Sequence, residues 1–133
     1  MASDGRLVRK VAAAQGGYFL ATGVWPLVSR RTFERVTGPK TDFWLAQTVG
    51  VLVGSIGAVL LLADKRERLT PDLHALGTAS AAGLCVVDVC FAARGRIAKV
   101  YLLDAAIEAA LVAGWALGRG WVPVSFAREG EEA

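Results

Sequence analysis

Three carboxylates, Asp88, Asp104 and Glu108, interrupt stretches of sequence that are otherwise apolar. A charged side chain at the centre of a membrane-spanning helix costs roughly 2.5–3.5 kcal/mol on insertion scales, so acids kept there are expected to face a bundle interior. Their spacing fixes where they lie. Arg94-Gly95-Arg96 reads as a tight turn, with Asp88 seven residues before Gly95 and Asp104 nine after it. At about 1.5 Å per helical residue, both sit roughly 10–14 Å from the turn, at similar depth. Glu108 follows Asp104 by four residues and shares its helix face. Gln47, Trp25 and Tyr101 are expected in the same leaflet, giving one polar cluster of six side chains. Three carboxyl groups close together in low dielectric cannot all remain ionised, so at least one is expected to carry a proton. Such a cluster can bind a cation, exchange a proton or hold a polar ligand. In a purely structural alternative, Lys99 and Arg94 reach in from the turn and the acids only tie helices together.

Other reactive residues carry less. His74 is the single histidine, which excludes a His-rich metal site, and the Glu-x-x-His pair of di-metal carboxylate proteins is absent. It is expected at a membrane interface. Cys85 and Cys90 are five residues apart, about 140° around a helix and about 8 Å between Cα atoms, too far for a disulfide. They read as small packing residues. No phosphate-binding loop, dinucleotide fingerprint, Ser-His-Asp set or HExxH motif is present. No cofactor or metal is therefore expected, and an enzyme is the less favoured class.

The elements that must position these acids are apolar helices. Hydrophobic residues make up 54% of the 133, charged residues only 20%, and mean hydropathy is +0.44, which argues against a small soluble domain. The net charge of +3 is too small to imply a nucleic-acid partner. Four stretches approach the roughly 20 residues that cross a bilayer: Val11–Val28, Phe43–Ala63, Leu73–Ala93 and Ile97–Leu117. The fold class is thus all-α, a single-domain integral membrane four-helix bundle over 1–133 with the lipid bilayer as its partner. The first stretch is too long for a signal-peptide core, and no convincing small-x-small cleavage site follows it before Arg30. Arg30 to Val36 reads either as a short interfacial helix or as an irregular loop. Thr41 or Asp42 is expected to cap the second span, Thr70-Pro71-Asp72 to start the third, and the polar tail from Arg119 to fray after Pro123.

Four spans put both termini on one side. Lys and Arg number eight on that side and seven on the other, so the charge rule assigns no orientation. The cytoplasm is the working choice for the termini, with a bacterial inner membrane as the expected location; dual topology in an antiparallel homodimer is the alternative. Gly50 and Gly54 form a GxxxG motif, with Gly57 one turn on, and Ala13, Gly17 and Ala21 form a second small-residue stripe. Both are expected to pack helices within the bundle, or at a homodimer face, and Gly54 is expected at a helix–helix contact.

Phe19-Leu20-Ala21-Thr22-Gly23-Val24-Trp25-Pro26, Thr37-Gly38-Pro39-Lys40-Thr41-Asp42-Phe43-Trp44-Leu45, Asp88, Gly95-Arg96-Ile97 and Tyr101-Leu102-Leu103-Asp104-Ala105 with Glu108 resemble small bacterial four-helix membrane proteins of the DoxX-like kind. The resemblance covers Gln15 to Leu117. It implies a four-helix membrane fold and, for some members, a link to thiol and quinone redox systems; the CxxC that such a link suggests is missing here. The expected function is an accessory or small-ligand-binding membrane protein with an acidic pocket. The alternatives are a proton-coupled transporter working as a homodimer and a lipid-modifying or redox enzyme.

Overall fold

A computed structural model of the protein describes residues 2–118. They form five helices and, among the described residues, no strand: α1 (Ala2–Val28), α2 (Arg30–Thr37), α3 (Phe43–Lys65), α4 (Pro71–Ala93) and α5 (Val100–Leu117). The polar tail from Arg119 lies outside the described residues. Three helices, α3, α4 and α5, are long and apolar enough to cross a membrane. Only 22% of each of their apolar stretches is buried within the chain, so most of their side chains point outward. Leu52, Leu103 and Val86, for example, are all exposed. The exposed hydroxyls of Thr48 and Ser55 donate to their own helix, to Trp44 O at 2.9 Å and Val51 O at 2.7 Å, which satisfies them without water.

Of the four expected spans, the first differs most. Its apolar residues, diluted by Gln15, Thr22 and Pro26, occupy only the later part of the 27-residue helix α1. The helix extends back because its basic start has partners. Arg9 donates to Asp64 at 3.2 Å and approaches Glu67 at 3.3 Å, bringing the beginning of α1 beside the end of α3. The last stretch begins its helix at Val100 rather than Ile97. Gly95 at φ +72° and the bonds Arg96 N–H to Phe91 O (2.9 Å) and Gly95 N–H to Ala92 O (3.1 Å) close α4 in a turn that runs on to Lys99.

The segment after α1 is a helix, not an irregular loop. Ser29 accepts from Thr32 N–H at 3.3 Å to start α2, and Gly38 at φ +95° ends it. Thr70 caps α4 as expected, accepting from Leu73 N–H at 3.3 Å, with Pro71 at the first helical position. The expected side-chain cap on α3 is not formed. Asp42 stands at its N-cap, but it is the backbone carbonyl that accepts from Leu45 N–H, at 3.0 Å.

Two antiparallel hairpins result. α1 packs along α3, α4 along α5, and α1 joins them by lying against α5. Val8, Val11, Ala12, Leu60, Leu111 and Trp115 form the main apolar core near the start of α1 and the end of α5. Val11 lies against Gly114, so the two ends of the described chain meet at one end of the molecule.

Glycine governs the α1–α3 contact. A Cβ placed on Gly23 would meet Gly54 N at 2.5 Å and Gly50 O at 2.6 Å; one on Gly50 would strike the Gly23 carbonyl. One on Gly57 would lie 2.6 Å from Gly16 O and Leu20 N. Gly54 is at the contact as expected, but a Cβ there would come no closer than 4.0 Å. The stripe on α1 is not Ala13-Gly17-Ala21. Ala21 and Gly17 are exposed, with nothing near Gly17, and the packed glycines are Gly16 and Gly23. The one-residue shift rotates the contact face by about 100° around the helix.

A graded series follows. Gly23→Ala and Gly50→Ala should each destabilise the protein by about 1–3 kcal/mol, since the added methyl meets backbone that cannot rotate away. Gly54→Ala should be close to neutral, and Gly17→Ala neutral or stabilising, since alanine is the better helix former. Thermal unfolding in detergent micelles checks the order; equal losses at positions 17 and 23 would contradict this packing.

Candidate functional site

The face of α1 that looks away from α3 carries Gln15 and Tyr18, one helical turn apart, and these are the residues that meet the other hairpin. Gln15 is fully buried. It donates to Gly77 O at 3.0 Å and Ser80 Oγ at 3.2 Å on α4, and its Oε1 accepts from Trp115 Nε1–H at 2.6 Å on α5. His74 completes the knot. Its Nε2 donates to Trp115 O at 3.0 Å, and its ring stands edge-on to the indole at 4.9 Å. The expectation of an interfacial histidine turned toward the headgroups is therefore corrected: His74 points at Trp115. Gly77 makes room for the indole, since a Cβ there would lie 2.6 Å from it.

One turn along α1, the Tyr18 hydroxyl donates to Asp104 Oδ1 on α5. Asp88, from α4, and Glu108 lie close enough to Asp104 for their carboxyls to interact with it. The Gly95 turn sets this register, and the approach of Cys85 Sγ to Ala105 O, 3.4 Å, crosses the same hairpin. Asp88 is 5% exposed and Glu108 1%, while Asp104 is half-buried. One oxygen of each buried acid, Asp88 Oδ2 and Glu108 Oε2, has no hydrogen-bond partner among the described residues. An unmade hydrogen bond on a buried group costs about 1–3 kcal/mol, more if the group is charged. Several acceptors, one phenolic donor and two acceptor atoms left free make an arrangement that can hold a proton or accept a cation.

The other residues expected beside the acids lie elsewhere. Trp25 donates to Thr32 Oγ1 at 2.9 Å and packs edge-on to Phe33 at 5.4 Å, which in turn meets Phe43 at 6.1 Å. Tyr101 lies under the Lys40 ammonium, 5.4 Å from its ring. Both thus belong to an aromatic cluster that seats α2. Gln47 is half-buried, and among the described residues no hydrogen bond ties it to a carboxylate. Arg94 and Lys99 stay exposed, and the Arg94 guanidinium lies over Phe91 at 5.9 Å rather than on an acid. Both cysteines are free; Cys85 is half-buried, whereas Cys90 is exposed and packs less than expected.

Tyr18 is the site residue that sequence reasoning missed. The signal was available: Gln15, Tyr18 and Thr22 recur at helical spacing through an apolar stretch, a polar stripe that lipid would not tolerate. Comparison with family models, with curated proteins and with solved structures found no match for this chain.

The Gln15 knot predicts a clear loss. Gln15→Leu leaves the Trp115 indole N–H unpartnered in the core and should destabilise the protein by about 1–3 kcal/mol. The double variant Gln15→Leu/Trp115→Phe should recover part of that loss, because the orphaned donor is gone as well. Unfolding midpoints of the two variants in one detergent make the comparison.

Proposed function

We propose that the protein is a multi-pass protein of the cell membrane, a four-helix bundle in which α1 is the fourth span, and that its acidic centre binds a small lipophilic cation or a proton within the bilayer. Two nearly fully buried carboxyl oxygens without partners, on facing helices, carry this reading. In hydrocarbon, such atoms are stabilised either by a proton shared between the carboxyls or by a ligand that brings a positive charge or N–H donors. Tyr18 would hold Asp104 in place, leaving Asp88 and Glu108 to face the ligand. The resemblance to DoxX-like proteins fits an accessory or binding role.

The test uses purified protein in dodecylmaltoside and two probes, tetraphenylphosphonium and dodecylamine. Asp88→Asn and Glu108→Gln should weaken binding of at least one probe by about tenfold or more, the loss of one charge-assisted contact. Their melting temperatures should hold or rise, because a neutral amide replaces an under-satisfied buried acid. Unchanged binding, or lower stability with no binding in the wild type, would assign the acids a structural role.

Topology is tested separately. Single cysteines at Ser3, Lys40 and Glu132, introduced with Cys85 and Cys90 changed to Ala, should label from one side at 3 and 132 and from the other at 40. Labelling of 3 from the same side as 40, opposite 132, would remove α1 from the spans, and labelling of every site from both sides would favour the antiparallel dimer.

A further inference from the structure

The end of the molecule that carries α2 is strongly basic. Arg30, Arg31, Arg35 and Lys40 lie on and after α2, and Arg94, Arg96 and Lys99 lie in the α4–α5 turn, against two acids, Glu34 and Asp42. The two basic segments adjoin: a Cβ on Gly38 would touch Ala98 at 4.0 Å, and Lys40 reaches Tyr101 of α5.

Two of these cations are used internally. Arg30 pairs with Glu34 at 3.0 Å, donates to Lys40 O at 3.2 Å and lies over the Phe43 ring at 4.7 Å. The Lys40 ammonium donates to the carbonyls of Thr37 and Gly38, both at 3.3 Å, between the rings of Phe33 and Tyr101. These contacts fix α2 against the bundle. With Glu34 neutralised by Arg30, five exposed cations remain: Arg31 and Arg35, one turn apart on α2, and Arg94, Arg96 and Lys99 in the adjoining α4–α5 turn, Arg94 lying over Phe91. None of the five forms an ion pair among the described residues. Beside them, Val28 (77% exposed), Trp44 (62%) and Val36 (47%) present apolar surface at the same end.

We infer that this end binds the headgroup of an anionic phospholipid, its phosphate held by Arg31 and Arg35 on the exposed face of α2, with Arg96 of the adjoining α4–α5 turn adding to the positive surface, while its chains lie over Val36 and Trp44. Charge complementarity selects the occupant. Closely spaced guanidiniums match phosphate oxygens, and the apolar flank matches acyl chains, which a free anion lacks. At the opposite end Arg9 is held by Asp64 and Glu67, and the exposed Lys65, Arg66 and Arg68 there lie outside the proposed site and serve as its control. The proposal rests on the membrane reading above but not on the acidic centre, and a chain that stays soluble without detergent would defeat the membrane reading before this experiment begins.

The full chain in dodecylmaltoside is melted with added dioleoylphosphatidylglycerol or dioleoylphosphatidylcholine. Phosphatidylglycerol should raise the melting temperature by about 3 °C or more beyond phosphatidylcholine, the size of shift expected for a ligand bound only by the native state. That excess should shrink as NaCl rises from 50 to 500 mM. Arg31→Gln/Arg35→Gln/Arg96→Gln should lose the excess while keeping the response to phosphatidylcholine, and Lys65→Gln/Arg66→Gln/Arg68→Gln at the other end should retain it. The single variant Arg31→Glu, at an exposed position, should at least halve the excess if the triple variant folds poorly. Equal shifts with both lipids, loss of the excess in the 65–68 variant instead, or reproduction of the shift by sodium phosphate alone would each overturn the proposal.

Discussion

The two hairpins are joined through one polar side chain. Gln15 is buried at the meeting of α1, α4 and α5 and uses both ends of its amide: the nitrogen toward Gly77 O and Ser80 Oγ, the oxygen toward Trp115 Nε1–H. On the membrane reading proposed above, apolar helices gain nothing from the hydrophobic effect by associating, so close packing and interhelical hydrogen bonds must supply the attraction. The α1–α3 hairpin takes the first route, through Gly16, Gly23, Gly50 and Gly57. The contact between hairpins takes the second, because α1 meets α4 and α5 with a larger, polar face. A primary amide suits that position since it donates and accepts at once, and each partner it finds would otherwise be a polar atom stranded in the core.

This division of α1 into two faces explains where the acids end up. Glycines turned to α3 leave Gln15 and Tyr18 turned to the other hairpin. The Gln15 knot fixes the height of α1 against α4 and α5. One turn further on, the Tyr18 hydroxyl therefore arrives at Asp104. The contrast between neighbouring turns is informative. Around Gln15 each amide donor and acceptor has a partner; around Asp88 and Glu108 two oxygens have none. A bundle that needed these acids only as struts could match them as fully as it matches Gln15. Their unmatched state in so well-buried a position is what makes the acidic centre a candidate for binding.

Much of this was legible in the residues themselves. The apolar stretches gave the helices, Thr70-Pro71 and Gly95 gave sharp boundaries, and the spacing of Asp88, Asp104 and Glu108 about Gly95 gave their proximity. That last inference succeeded because one short turn links two straight helices, leaving little freedom in register. The same reasoning misplaced Trp25 by depth: Tyr18, two turns earlier on the same face of α1, is what meets Asp104, and Trp25 turns to Thr32 and Phe33 of α2. Tyr101 shares a helix face with Asp104 one turn away, but its ring is taken up by the Lys40 ammonium. The glycine face of α1 was likewise off by one residue: Gly16 and Gly17 are indistinguishable in composition, and only the partner helix decides which is inward. His74 was misread because its partner, Trp115, is 41 residues away in sequence.

The distribution of charge along the molecule then follows from the same helices. With three acids drawn into the middle, the basic residues are left at the ends, and the count of Lys and Arg alone hides how differently the two ends use them. At the α2 end, Arg30 and Lys40 are spent on rings and carbonyls that hold a short helix whose eight residues could not be stable alone. Fixing α2 in turn leaves Arg31 and Arg35 projecting from its exposed face. Held cations thus position free ones, and the positive surface is built on the aromatic cluster of Trp25, Phe33 and Phe43. The acidic centre and the basic end are two consequences of one constraint: a polar group on an apolar helix must find a partner inside the bundle or be carried to its end.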